Sequence, residues 1–265
     1  MVGLGSLTRL HLSEVHITGD ELGQLLSNSV ALEELQLVNC HKIISLKLPC
    51  LLHRLNCLTV FECRGLKVIE NKAPKVSVVH INGSFEKLRV GDMLQVKKLE
   101  MIDTYGTSLV HHARANLPFI MPNLETLNLY SNGEVSQTRV RQDLISAEDS
   151  HMRQMLEHCH GSIKNVKILG FCSAKSMVEL TCHIIENATS LECLTLDTIY
   201  DNSSRGEADR SHEHNKFDEC RPVRSRRMIE HAHKGLWAIG RYVVQKVPTR
   251  VKLNVKKLCS RCHKI

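Results

Sequence analysis

One arrangement of aliphatic residues, LxxLxL, recurs along most of the chain. Four complete copies begin at Leu7, Leu32, Leu124 and Leu191. Degenerate copies, with Val, Ile or Met in place of some leucines, begin at Leu55, Val76, Val96 and Ile163. Successive side chains of a strand point to opposite faces. Each copy therefore predicts a short strand whose fourth and sixth residues enter a core, with the third, fifth and seventh on the other face.

The spacing of these copies indicates the fold. Their starts are 25, 23, 21, 20, 28, 39 and 28 residues apart, which are leucine-rich-repeat periods with one insertion. Such repeats place an Asn or Cys three residues past the second core aliphatic, where the backbone turns; these positions hold Cys40, Cys63, Thr104 and Asn132. Other copies depart from this rule and predict irregular turns at Val15, Phe171 and Ile199. The sequence predicts an α/β leucine-rich-repeat solenoid of about eight irregular repeats, with a parallel sheet on its concave side.

Some connections between strands have helical periodicity. Apolar residues at helical spacing predict a short helix over 20–30, begun by Asp20, and another over 177–188. A capping-box pattern at 146–149 predicts a third helix after it. The repeats within 41–95 are too short for full helices, so extended or 3₁₀ connections are expected there.

The chain changes character after its last complete repeat. We divide it into a solenoid over 1–197, a polar loop over 198–227, whose composition is compatible with an ordered loop or with disorder, and a basic cap over 228–265. Apolar residues at helical spacing over 229–243, followed by alternation over 251–255, predict a helix and an edge strand. This helix–strand cap would cover the open edge of the last repeat.

Charge is concentrated in the C-terminal part. The chain has 265 residues and a net charge of +7, and 42% of its residues are hydrophobic, which is too apolar for wholesale disorder. Residues 221–265 hold 13 Lys and Arg against the single acid Glu230, a net +12, so the remainder carries −5. This segment would suit a nucleic acid or an acidic partner. Because no aromatic residues interleave the basic run at 221–227, we do not expect nucleic acid to be the main partner, and keep a basic nucleic-acid-associated module as the alternative function.

Cysteine content and hydropathy suggest the compartment. The 11 cysteines are too sparse for a small disulfide scaffold, and residues 1–6 do not resemble a secretory leader. No apolar run approaches the roughly 20 residues that a membrane span requires. We therefore expect a reduced protein of the cytoplasm or nucleus that does not enter membranes.

Motifs for catalysis and cofactors are missing from the sequence. No GxSxG, GxxxxGK[ST] or GxGxxG pattern occurs, so neither an enzyme nor a cofactor is expected. Cys259, Cys262 and His263 have the spacing of half a zinc site, whose fourth ligand would come from Cys220, His231, His233 or another chain. Structural or inert thiols are the favoured interpretation, and no metal is expected.

The repeat style and the C-terminal ending resemble the plant F-box/leucine-rich-repeat proteins, in a branch expanded in grasses. The segments that resemble it most are Leu32–Cys40, Met121–Leu129 and the ending Val247–Val255 followed by Cys259-Ser-Arg-Cys262-His263. In that family an N-terminal F-box binds a Skp1-type adaptor, and the repeats hold the protein destined for ubiquitin transfer. This chain starts six residues before its first repeat without an F-box. The resemblance implies a Skp1-type partner only for a longer form that carries one.

The exposed face of the sheet is the expected binding surface for a protein partner. Its fifth positions are uniformly polar: His11, Gln36, Thr59, His80, Glu100, Asn128, Lys167 and Thr195. Its seventh positions include five apolar or aromatic residues that we name as partner-binding candidates: Val38, Phe61, Ile102, Tyr130 and Leu169. The alternative is that these side chains lie at strand ends and tuck beneath the following turn. The function predicted is a non-enzymatic interaction scaffold resembling the substrate-recognition part of an SCF-type ubiquitin ligase receptor.

Overall fold

A computed structural model describes residues 4–85, 87–91, 93–103, 109–110, 113, 120–131, 145, 160–199, 226–256 and 258. Its strands are β1 (Arg9–Ser13), β2 (Glu34–Val38), β3 (Ser45–Leu48), β4 (Cys57–Phe61), β5 (Val68–Asn71), β6 (Val78–Gly83), β7 (Arg89–Val90), β8 (Lys98–Asp103), β9 (Thr126–Ser131), β10 (Asn165–Leu169), β11 (Cys193–Asp197) and β12 (Lys252–Lys256). Nine of them form one parallel sheet in the order β1-β2-β4-β6-β8-β9-β10-β11-β12. The prediction of a leucine-rich-repeat solenoid is confirmed.

The core lies behind this sheet and follows the repeat pattern. Each predicted strand begins at the third position of its copy, and equivalent positions of neighbouring strands are paired, as in Leu35 with Leu58. Fourth and sixth positions from β2 to β11 are buried, whereas Leu10 and Leu12 of β1 are only partly buried. The aliphatic stack therefore loosens at β1, which has one neighbouring strand instead of two.

The turns after the first strands repeat one backbone geometry. The residue after the seventh position is left-handed in Glu14, Asn39 and Glu62, with φ of 59°, 54° and 50°. The amide of Asn39 donates to the Phe61 carbonyl at 2.9 Å in the next repeat. The next residue is Cys40, whose Sγ lies 3.4 Å from the Val38 carbonyl oxygen and 3.5 Å from that of Leu12.

Cys63 repeats this contact, with its Sγ 3.6 Å from the Phe61 carbonyl oxygen. The turning role predicted for these two cysteines is confirmed, while Thr104 and Asn132 lie outside the described residues. Phe171 and Ile199 stand where the repeat rule expects Asn or Cys, and other hydrogen bonds hold the turns there. The Phe171 amide donates to the Asp197 carbonyl, and the Ile199 amide donates to the Asp197 side chain.

In the described part of the chain, two helices and a second sheet lie in the connections between strands. Helix α1 (Gly19–Ser27) is capped by Thr18, whose side chain accepts from the Glu21 amide while the Glu21 carboxylate accepts from the Thr18 amide. Helix α2 (Lys175–Asn187) corresponds to the predicted 177–188 element. The extended connections within 41–95 form a three-stranded parallel sheet, β3-β5-β7, which the sequence did not predict. The helix expected after 146–149 lies outside the described residues.

The C-terminal elements pack on the last repeats. Helix α3 (Arg226–Ala238) continues into a π turn (Ile239–Val243) and a 3₁₀ turn (Val244–Lys246). Strand β12 then pairs in parallel with β11 and extends the sheet by one strand. Gly235 is buried in α3 where a Cβ atom would lie 2.8 Å from the Phe171 carbonyl oxygen, so the helix approaches the turn after β10 at backbone distance. None of the helices in the described ranges is both long and apolar enough to cross a bilayer.

Candidate partner-binding face

The seventh positions of the repeats form one continuous row across the large sheet. Cα pairing joins the residues of the row in the order Ser13, Val38, Phe61, Asn82, Ile102, Tyr130, Leu169 and Asp197. Neighbouring strands lie about 4.8 Å apart, so the distance from Val38 to Leu169 is roughly 24 Å. All five candidate partner-binding residues lie on this row.

Exposure differs along this seventh-position row. Val38, Phe61, Tyr130 and Leu169 are partly exposed, whereas Ile102 is 4% exposed. Asn82 between them is also 4% exposed, so the middle of the row is closed to solvent. The accessible apolar surface is therefore divided into a pair from β2 and β4 and a second pair from β9 and β10.

The fifth positions form a parallel polar row beside it. On this row His80 of β6 and Glu100 of β8 are Cα partners, and His80 Nδ1 lies 3.5 Å from Glu100 Oε2. Hydrogen bonding to the Cys57 thiol and to the Glu100 carboxylate raises the pKa of His80 to about 9. The imidazole is therefore a cation at neutral pH, held on the face by a carboxylate.

Other charges border the face in pairs. Arg9 Nε lies 3.5 Å from Glu34 Oε2 at the β1 side, and Lys256 Nζ lies 3.7 Å from Asp197 Oδ2 at the β12 side. At the amino-terminal edge of the strands Glu125 lies between Lys97 and Lys164, with N–O distances of 3.3 and 3.2 Å. Hydrogen bonds from Lys164 and Lys97 hold the pKa of Glu125 below its usual range. These pairs leave the rim polar and close to neutral.

The cap forms a second exposed surface of different chemistry. Trp237 of α3 is 44% exposed and packs edge-on against Tyr242, with ring centroids 5.8 Å apart. Basic side chains on α3 and on the π turn that follows it include Arg227, Lys234 and Arg241. This surface combines an aromatic ring with cations, in contrast to the mixed polar and apolar sheet face.

The structure brings together no metal site from the predicted residues that it describes. Cys259, Cys262, His263 and Cys220 lie outside the described residues. His231 and His233 lie on α3, and no cluster of three or more metal-ligating side chains occurs in the described part of the chain. Burial and the neighbouring Lys234 lower the pKa of His231.

Cys57, His80 and Glu100 form a group that sequence reasoning did not single out. They occupy the third position of β4 and the fifth positions of β6 and β8, three strands that are consecutive in the sheet. The signal was present in the repeat register, because the alignment places His80 and Glu100 side by side and Cys57 diagonally before His80. Finding this group requires a comparison of equivalent positions in neighbouring repeats, because its three residues are distant in the sequence.

Comparison with known proteins agrees with the repeat architecture. The model of one plant family, described as At1g61320/AtMIF1, LRR domain, matches residues 1–141 and 134–260. No curated protein matches the chain. Leucine-rich-repeat domains are in general non-enzymatic protein-interaction domains. The two matches overlap and extend over nearly the whole sequence, and the chain belongs to this plant leucine-rich-repeat family of interaction scaffolds.

Proposed function

We propose that the protein binds a protein partner on the exposed face of its large sheet, through the accessible part of the seventh-position row. The observation that carries this proposal is the row itself. It places Val38, Phe61, Tyr130 and Leu169 partly exposed on one face, beside a polar fifth-position row. Phe and Tyr supply large contact area, and aromatic residues within a polar surround are typical of the residues that dominate binding energy.

The division of the row suggests a partner with two apolar contacts. Val38 and Phe61 are Cα partners, as are Tyr130 and Leu169, and each couple presents an aliphatic beside an aromatic side chain. Two strands, β6 and β8, separate the couples. A partner segment lying across the strands would meet the first couple, then the His80–Glu100 ion pair, then the second couple. Its polar groups would face that pair.

We further propose that the partner is a protein selected for ubiquitin transfer and that the chain acts as an SCF-type substrate receptor of the grass branch. The resemblance in the repeats and ending supports this role. A Skp1-type adaptor would bind only a longer form that carries an F-box. The cytoplasm or nucleus is the proposed compartment, supported by the free thiols of Cys40, Cys57, Cys63 and other described cysteines. Co-precipitation of the adaptor with the full gene product tests this part separately.

The binding face is tested by the double variant Phe61→Ser/Tyr130→Ser. A partner is first captured by proximity labelling and purified, and its affinity is then measured by calorimetry. We expect at least ~10-fold weaker binding, since loss of one hot-spot residue costs about 2 kcal/mol or more. The matched control is Ile44→Ser/Leu51→Ser, which replaces two apolar side chains that are 58% and 48% exposed outside the large sheet.

Stability measurements distinguish binding from packing. If Phe61 and Tyr130 are tucked beneath the turns, the double variant should lower the free energy of unfolding by several kcal/mol. That result, or equal loss of affinity in the control variant, would contradict the proposed face.

A second candidate is binding of nucleic acid by the cap. Among the described residues, no ion pair is formed by five cations of α3 and the segment that follows it: Arg227, Lys234, Arg241, Arg250 and Lys252. Phosphate contacts release counterions, so retention on heparin or DNA should fall steeply with salt. Replacing Arg227, Lys234 and Arg241 with Gln should reduce both retention and its salt dependence. Unchanged retention would count against this alternative.

A further inference from the structure

Trp237 lies on the outer face of α3, and exposed cations flank it. It is the single tryptophan of the chain and is 44% exposed, whereas the buried residues of α3 lie on the opposite side of the helix. Lys234 precedes Trp237 by three residues and Arg241 follows it by four, a spacing that keeps the three side chains close to one face. We call these three residues the tryptophan face. Sequence reasoning did not single it out, because the basic run at 221–227 contains no aromatic residue.

The indole ring of Trp237 offers a surface to a planar ligand. The Tyr242 ring lies nearly perpendicular to it, at an interplanar angle of 84° and a centroid distance of 5.8 Å. In such a pair one ring directs its edge at the other, so Tyr242 covers at most one face of the indole ring. Tyr242 is itself half-buried against the core and limits the rotation of the indole ring. Trp237 is therefore a partly exposed aromatic platform whose orientation is held by its neighbour.

The cations of the tryptophan face are not neutralised by the described acids. Residues 226–246 hold five Lys and Arg against one acid, Glu230, a net charge of +4. The Glu230 carboxylate lies 3.3 Å from Arg226 Nε, and no ion pair among the described residues includes Lys234 or Arg241. An anionic ligand at this face would therefore meet two exposed cations.

An aromatic ring between two cations favours a single-stranded nucleic acid over other polyanions. The bases of a single strand are free to stack on a side chain, and every base has a π-face. Lys234 and Arg241 lie about 10 Å apart along the helix axis, on either side of Trp237, so both can contact phosphates next to a stacked base. Duplex bases stack on one another, and heparin and acidic peptides have no bases. Charge alone predicts the opposite preference, because a duplex carries about twice the charge per unit length of one strand.

We propose that the tryptophan face binds single-stranded nucleic acid, with one base stacked on the Trp237 indole ring and neighbouring phosphates on Lys234 and Arg241. This inference rests on the second candidate function, which is nucleic-acid binding by the C-terminal part of the chain. It adds the strandedness of the ligand and the residue that selects it. Stacking tolerates any base, so binding should depend only weakly on nucleotide sequence.

The test uses Trp237 as its own reporter, because the tryptophan emission of this chain comes from a single residue. The full chain is titrated separately with a thymidine oligonucleotide of about 12 nucleotides, a DNA duplex of the same length, heparin and polyglutamate, in about 50 mM NaCl. We expect the single strand to quench the emission to saturation and to bind at least ~5-fold more tightly than the duplex. Heparin and polyglutamate should leave the emission nearly unchanged.

Variants at Trp237 separate stacking from charge, with affinity measured by the fluorescence anisotropy of labelled DNA. Trp237→Leu keeps an apolar side chain without a π-face and should weaken single-strand binding at least ~5-fold, with duplex binding unchanged. Trp237→Phe should restore most of the lost affinity. Lys234→Gln/Arg241→Gln should weaken binding of both DNAs and lower the salt slope by about 1–2. The matched control is Leu94→Ala, which truncates a 51% exposed side chain outside α3 and should bind like the unmodified protein.

The outcomes distinguish this inference from the function on which it rests. Equal affinity for single strand and duplex with unchanged emission, or equal affinities of Trp237→Leu and Trp237→Phe, would overturn the single-strand proposal and leave nucleic-acid binding in place. Saturable quenching by polyglutamate, with the affinity of the single strand, would also overturn it and would indicate an acidic protein partner. If the unmodified protein binds no nucleic acid, both the inference and the second candidate function are overturned.

Discussion

The close approach of α3 to the last repeats makes Gly235 a sensitive position. A Cβ atom added there would lie 2.8 Å from the Phe171 carbonyl oxygen and 3.0 Å from Thr198 Cγ2. The first contact is to backbone, which cannot rotate away. Gly235→Ala should therefore push α3 away from the turn after β10 and weaken the docking of the cap.

A second glycine provides a control that separates the free-energy cost of the steric contact from the general effect of replacing glycine by alanine. Gly240 lies five residues further on in the same helical segment, and a Cβ atom there would meet nothing within 4 Å. Both substitutions gain similar intrinsic stability, about 1 kcal/mol, because alanine loses less backbone entropy than glycine. Overpacking costs about 1–3 kcal/mol, so the two variants should differ by that amount, with Gly235→Ala the less stable.

The assay is urea unfolding followed by far-UV circular dichroism, with hydrogen exchange of β12 as a local probe. Gly240→Ala should unfold at a urea concentration equal to or above that of the unmodified protein. Gly235→Ala should unfold earlier, and its β12 amides, Lys252–Lys256, should exchange faster. Equal midpoints for the two variants would refute the reasoning that backbone contact holds the cap in place.

Two other predictions concern pH and the ends of the sheet. The pKa of His80 is raised from 6.5 to about 9, so its contribution to stability is complete below pH ~6.5 and is lost as pH rises through about 9. The difference in unfolding free energy between the unmodified protein and His80→Gln should therefore shrink from pH 6.5 to 10; a constant difference would contradict the ion pair. Native-state hydrogen exchange should find Leu10 and Leu12 of β1 among the least protected strand amides, and Leu127 and Leu194 much slower, because only the latter are fully buried between two strands. Equal protection in a monomeric preparation would show that the β1 edge is covered.

The strands were predictable because their signal is local and repeated. Leu35 and Leu37, like Leu127 and Leu129, alternate with polar residues. Shifting such a strand by one residue would move its leucines from the core to the exposed face, so only one pairing register buries them. The start of α1 was placed at Asp20, whereas the structure caps the helix with Thr18. The pattern Thr18-Gly-Asp-Glu21 is a capping box, so this boundary was available in the sequence.

The second sheet was not predictable in the same way. Segments such as Ser45–Leu48 and Val68–Asn71 are four residues long and have only two alternating positions each. Their pairing depends on the stacking of whole repeats, which brings equivalent connections side by side. The exposure of the seventh positions also depends on neighbours: Val38 and Phe61 are partly exposed but Ile102 is not, although all three occupy the same place in their repeats.

The order of the large sheet follows the order of the repeats, and this has a consequence for how the chain can change length. Each interior strand pairs with the strand of the preceding repeat and with that of the next, so an insertion between two strands lengthens one connection and leaves the pairing of the strands unchanged. Doubling the length of such a loop costs only about 0.6 kcal/mol in closure entropy. The long connection between β9, ending at Ser131, and β10, beginning at Asn165, joins strands that still pair residue for residue. Insertions between strands therefore cost little free energy. The gene can acquire new segments there while the pairing register of every repeat is kept.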